Sequence, residues 1–136
     1  MKRRRSQAGV TLIEMLVVVT IIALFATLVG PNLFKQSDKA RIVTAKTQIG
    51  NFEQALMQYK MATGILPTSE QGLQALRVKP ANATQWDGPY LSKELPLDPW
   101  GRAYIYKFPG DHGDLPDLIS LGPDGQPSDD DIVSWK

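Results

Sequence analysis

The chain has 136 residues, room for one helix-plus-globule domain and not for two full ones. Its 15 Lys and Arg against 14 Asp and Glu leave a net charge of +1, without the basic stripe that a nucleic-acid partner requires. Cysteine is absent, which excludes disulfides as fasteners of loops and thiolates as zinc ligands.

In chain order the first feature is a tight basic cluster, Lys2-Arg3-Arg4-Arg5, and the second is GVTLIEMLVVVTIIALFATLVGP, from Gly9 to Pro31. The only charged residue of that run is Glu14. An α-helix rises about 1.5 Å per residue, so Val10 to Val29 spans roughly 30 Å, the thickness of a bilayer's hydrocarbon. This length predicts one membrane pass over 10–30, with the basic cluster on the cytoplasmic side and the remaining chain, 31–136, outside as a globular domain. An ordinary secretory signal has an apolar region of about 7–15 residues ending at an A-x-A-like site. This run is longer, and Gly30-Pro31-Asn32 offers no such site. Cleavage, where it occurs, is better placed between Gly9 and Val10, which separates a basic leader (1–9) from the helix. Losing the leader removes four of the 15 bases, leaving 11 against 14 acids, a net of −3.

Glu14 is the anomaly of the run. A carboxylate within a spanning helix costs about 2.5–3.5 kcal/mol at the centre and less near an end. Such residues mark a partner or a path; the plainer reading is that Glu14 only reaches the headgroups.

Gly30-Pro31 closes the apolar run, and proline removes a helical hydrogen bond and kinks the helix there. Beyond it Ile42, Ala45, Ile49, Phe52, Leu56 and Tyr59 recur at spacings of three and four, one face of a helix. The pattern predicts a single helix from about Val10 to about Met61, closed by Gly64 in the left-handed region; two helices hinged at Gly30-Pro31 are the alternative. Thr68, with Gln71 three residues on, predicts a capping box for a short helix with Leu73 and Leu76 on its apolar face. The stretch 80–99 reads as loop with turns at Asp87-Gly88-Pro89 and Asp98-Pro99. Trp86, Tyr90, Leu91 and Trp100 read as core, not as a carbohydrate or base platform. Ala103–Tyr106 and Leu118–Leu121 read as two strands joined by a hairpin loop over 109–116. The fold class is therefore α+β, a long N-terminal helix packed on a small antiparallel sheet.

Seven of the 14 acids lie between Asp111 and Asp131, and four of them, Asp124, Asp129, Asp130 and Asp131, fall within eight residues. Short carboxylates and backbone carbonyls on Gly and Pro turns suit Ca²⁺, which takes oxygen ligands at about 2.3–2.6 Å. The spacing is not that of an EF-hand, and a solvated acidic loop is the other reading.

Gly9, Thr11-Leu12-Ile13 and Glu14 resemble the class III signal of type IV pilins and type II secretion pseudopilins, with Val10 where Phe is usual. The blocks Pro67–Leu76 (PTSEQGLQAL), Leu97–Gly101 (LDPWG) and Ser120–Gly125 (SLGPDG) resemble the major pseudopilin of type II secretion, so the likeness covers nearly the whole chain. The resemblance implies a type IV pilin-like fold. It also implies cleavage after Gly9 by a membrane prepilin peptidase that methylates the new amino terminus at Val10. Glu14 is then implied to pair with that ammonium on a neighbouring subunit. An α-amino group has a reference pKa of about 7.7–8, and opposite charges buried together cost less than either alone, so the pair specifies register. For the acidic loop the family implies a calcium ion held by the side chains of Asp124, Asp130 and Asp131 and by the carbonyls of Leu121 and Gln126, with Ser128 and Asp129 as further candidates.

The implied activity is structural: a homopolymer assembled through the N-terminal helix into a short periplasmic pseudopilus. The implied partners are minor pseudopilins and an inner-membrane platform with its cytoplasmic ATPase, and the product is export of folded proteins across the outer membrane. A type IV pilin or a minor pseudopilin is the competing assignment. An enzyme finds little support. His112 is the only histidine, lies in a Gly-Asp loop and reads as surface decoration, and no Gly-x-Ser-x-Gly elbow is present.

Overall fold

The computed structural model describes residues 9–136, leaving aside the side chains of 31–34. The basic cluster at 2–5 lies outside the described residues, as does the Pro31 ring on which the expected kink depends. The chain divides into two compact units, one up to Asp38 and one from Lys39 to Lys136.

One helix, α1 (Leu12–Thr63), runs through both units, in place of two helices separated at Gly30-Pro31. Thr11 caps it, its Oγ1 accepting from the Glu14 amide at 3.3 Å. Thr11 and Glu14 stand in capping-box order, and Glu14 sits in the first turn, where the helix dipole favours an anion. Among the described residues of the first unit the large apolar side chains face outward, from 87% exposed at Leu12 to 42% at Val18. Thr20 and Thr27 turn inward on their own backbone: Thr20 donates to the Leu16 carbonyl and Thr27 to the Leu24 carbonyl, each at 2.7 Å. Hydroxyls satisfied in this way leave the surface of the helix from 15 to 29 apolar all round, which suits lipid.

The second unit buries an apolar core. Ala45, Ile49, Phe52, Leu56 and Tyr59 form the core stripe of α1, joined by Ala55, with Ile42 packed at its margin. The stripe ends at Gly64, which has φ 81° and donates to the Lys60 carbonyl at 2.8 Å. The Thr68–Gln71 capping box forms in both directions: the Thr68 amide donates to Gln71 Oε1 at 3.0 Å, and the Gln71 amide to Thr68 Oγ1 at 3.3 Å. It leads into a 3₁₀ helix, Gly72–Leu76, which buries Leu73, Ala75 and Leu76. The aromatics of 86–104 belong to the core. Tyr90 meets Tyr59 and Trp86 edge to face at 5.6 and 5.7 Å, and Tyr104 meets Phe52 at 5.1 Å. Burial raises the Tyr59, Tyr104 and Tyr106 hydroxyls above the usual phenol range.

The sheet has three antiparallel strands in the order β1 (Ile105–Lys107), β2 (Asp117–Ser120), β3 (Ile132–Val133). Strand β1 starts two residues later than the sequence pattern predicts and β2 one residue earlier. The third strand is unexpected. Two residues are too few to display a period, and β3 exists because the free edge of β2 pairs Ser120 with Ile132 and Ile119 with Val133. The acidic stretch is thereby the β2–β3 connection, its two ends held side by side.

Candidate functional site

The β2–β3 loop opens with the turn Leu121–Gly125, closed by the Gly125 amide donating to the Leu121 carbonyl at 3.2 Å. Gly122 and Gly125 take positive φ, 64° and 70°, a conformation that costs residues with a Cβ far more than glycine. The turn returns Asp124 toward the far limb of the loop. One carboxylate oxygen each from Asp124, Asp130 and Asp131 lies within 4.8 Å of the others.

Backbone amides set part of this arrangement. The Gln126 amide donates to Asp124 Oδ1 at 3.0 Å, and the Ser128 amide to Asp131 Oδ2 at 3.3 Å. Ser128 Oγ stands among oxygens: Asp124 Oδ2 at 3.5 Å, the Gln126 carbonyl at 3.2 Å, and Asp130 Oδ1 in close contact. A hydroxyl carries one proton and can satisfy one of these acceptors. The oxygens therefore outnumber the hydrogens that could hold them together. In addition, Asp131 Oδ1 is buried with no protein donor. An orphaned buried carboxylate oxygen beside crowded acceptors can accept a cation, and an all-oxygen donor set fits calcium.

The candidates drawn from the sequence separate accordingly. Asp124, Ser128, Asp130 and Asp131 come together, with the Gln126 carbonyl against Ser128. The Leu121 carbonyl closes the entry turn and retains a second lone pair. Asp129 is exposed and stands outside the carboxylate trio.

Three residues that sequence reasoning missed as parts of the site are Asp98, Arg102 and Ser120. Asp98 is buried, 4% exposed. Its Oδ1 accepts from the Trp100 and Arg102 amides at 3.1 and 2.8 Å, and its Oδ2 from the Ser120 hydroxyl at 2.7 Å. Arg102 donates from Nη1 to the Gly122 carbonyl at 2.5 Å and from Nη2 to the Pro123 carbonyl at 3.4 Å. The available signal was the coexistence of Leu97–Gly101 and Ser120–Gly125 as distinctive blocks, but their contact is a tertiary fact.

His112 lies at the surface as expected, but it is engaged there. Its ring stacks on Trp135 at 3.7 Å, and Nδ1 lies 2.9 Å from Asp117 Oδ2. Burial opposes the charge of Asp117, but the His112 side chain and the Asp111 and His112 amides prevail and hold its carboxyl below the usual range. This cluster pins the β1–β2 loop to the C-terminal segment, a structural task.

At the other end of the chain, Gly9 and Val10 are exposed and precede α1, and Glu14 lies in its first turn. By length and composition the helix Leu12–Thr63 holds a stretch apolar and long enough to cross a membrane.

Comparison with known proteins covers both parts of the chain. Residues 4–30 match the prokaryotic N-terminal methylation motif, and residues 32–135 match the family described as type II secretion system (T2SS), protein G. The type II secretion system core protein G of Vibrio cholerae serotype O1 is 43% identical, covering 99% of this chain and 96% of that protein. The core protein G of Pseudomonas aeruginosa is 41% identical over 98% of each chain. The crystal structure of the major pseudopilin from the type 2 secretion system of enterohaemorrhagic Escherichia coli superposes with a TM-score of 0.67 at 37% identity, covering 77% of this chain and 95% of that one. The competing assignments, a type IV pilin or a minor pseudopilin, give way to this match. The chain belongs to the type II secretion system protein G family, the major pseudopilins.

Proposed function

We propose that this chain is the structural subunit that polymerises into the periplasmic pseudopilus of a type II secretion system and so drives folded proteins across the outer membrane. Supporting this reading is a helical segment whose apolar side chains are all exposed, interrupted by one acid in its first turn. A chain with such a segment requires lipid or copies of itself around it. Head-to-tail contacts that do not close on themselves generate a filament. A prepilin peptidase and methyltransferase cuts after Gly9 and methylates Val10, leaving the rest anchored in the inner membrane with residues 31–136 in the periplasm. Glu14 then meets the Val10 ammonium of an adjacent subunit. Addition of subunits proceeds on an inner-membrane platform with its ATPase, beneath a tip of minor pseudopilins.

Asp124, Asp130 and Asp131, with Ser128 Oγ and the Leu121 and Gln126 carbonyls, hold calcium in the β2–β3 loop. Bound calcium supplies the positive charge that the crowded oxygens lack, and its binding free energy adds to the stability of the folded body. The loop residues do no chemistry: they fasten a connection that has no disulfide.

Overproduction of the full-length chain together with its secretion machinery tests the polymer reading. Long homopolymeric filaments are expected, and mass spectrometry of their subunits should place the amino terminus at an N-methylated Val10. Subunits that retain residues 1–9, or that remain monomeric in the membrane, would overturn it.

A further inference from the structure

We propose that Arg102 is a positioning residue for the cation loop: it shapes the entry turn so that Asp124 is presented to the ion. This role rests on the proposed calcium site. Asp124 is flanked on both sides by residues that touch the Arg102 guanidinium. On one side Pro123, and Gly122 before it, accept hydrogen bonds from it. On the other side a Cβ on Gly125 would lie 2.5 Å from Arg102 Cζ and 2.6 Å from Nε and Nη2, so the turn wraps closely around the guanidinium. The backbone of Arg102 is itself anchored: its amide donates to buried Asp98, which also binds Ser120 at the end of β2. The planar fork thus ties the turn before β1 to the first limb of the loop.

What Arg102 avoids is equally informative. Among the described residues the ion pairs are Lys107–Asp111 and His112–Asp117. Arg102 directs its donors at carbonyls and leaves the carboxylate trio unneutralised. A bystander cation this close to the loop would oppose a dication by Coulomb repulsion, and removing it would tighten calcium binding. A positioning residue predicts the reverse, because an entry turn that must be ordered at the moment of binding lowers affinity.

The test is calorimetric titration of calcium into the full-length chain in detergent micelles, for the wild type, Arg102→Gln and Arg102→Lys, with unfolding midpoints recorded in calcium and in EDTA. Residues that orient metal ligands without touching the metal typically change affinity by about 10–100-fold. Both variants should weaken Kd by roughly tenfold or more, and their midpoints should fall further in calcium than in EDTA. Arg102→Lys keeps the charge but lacks the fork, so it carries the test should the glutamine variant fail to fold. Unchanged or tighter binding in the variants, or equal midpoint losses in both buffers, would overturn the positioning role while leaving the calcium site standing. Absence of calcium binding by the wild type would overturn both.

Discussion

The two units of this chain use the same helix in opposite ways. Up to Val29 the apolar residues of α1 are exposed; from Ala45 onward the apolar stripe is buried to within a few percent. The local structure is alike, and so is the hydrophobic driving force. The difference lies in where the covering surface comes from. In the second unit it comes from the 3₁₀ helix, the aromatic loop and the sheet of the same chain. In the first unit it must come from lipid or from other copies. Stability therefore resides in one unit, and the proposed assembly in the other.

Four measurements on the full-length chain in detergent bear on this contrast, ordered by their expected effect on thermal unfolding. Phe52→Ala removes a buried ring that packs on Tyr104 and should cost about 3–5 kcal/mol. Phe25→Ala, at a 61% exposed position of the same helix, should cost less than about 0.5 kcal/mol; similar losses at the two sites would erase the division.

Calcium removal comes next. A ligand at one hundred times its Kd stabilises by about 2.7 kcal/mol, so EDTA should cost the wild type stability of that order, read as a lower midpoint, and leave Asp124→Ala unmoved. A calcium response that persists in Asp124→Ala would release that residue from ligand duty.

A smaller effect is expected from acid. The folded-state pKa of Asp117 is lowered, so its contribution is complete above the ordinary carboxylate pKa of about 3.9 and is lost as pH falls through the folded value. Asp117→Asn should be less stable than the wild type at neutral pH, with the gap closing below about pH 4. A gap that stays constant on acidification would assign Asp117 a role independent of its charge.

The least effect on unfolding is expected from Glu14→Ala, which lies in the first unit. Its midpoint should match the wild type, while filaments counted by electron microscopy should fall at least tenfold. Wild-type filament abundance would defeat the pairing of Glu14 with a neighbouring amino terminus.

Much of this division is legible in the order of residues. The apolar length from Val10 to Val29, broken only by Glu14, the three-and-four spacing from Ile42 to Tyr59, the Thr68–Gln71 box and the Gly64 stop are all carried by near neighbours in the chain. Each depends on helical geometry alone, so each can be read along one dimension. The acidic loop is legible in composition and, through resemblance, in its ligand candidates. Composition does not distinguish Asp129, which stays outside, from Asp130 and Asp131, which turn toward Asp124. Nor can it reveal the task of His112, whose partners Asp117 and Trp135 are supplied by β2 and the C-terminal segment.

By itself, then, the sequence determined the long helix, its apolar half, its caps and the oxygen-rich character of the loop, because propensity, periodicity and charge act over a few residues. Only the tertiary structure decided that β3 exists, that Asp98 and Arg102 belong to the loop that begins after Ser120, and that Asp131 leaves an oxygen buried without a donor. Those facts require segments distant in the chain to meet, and meeting is set by which edge of a sheet remains unpaired and which core surface remains uncovered.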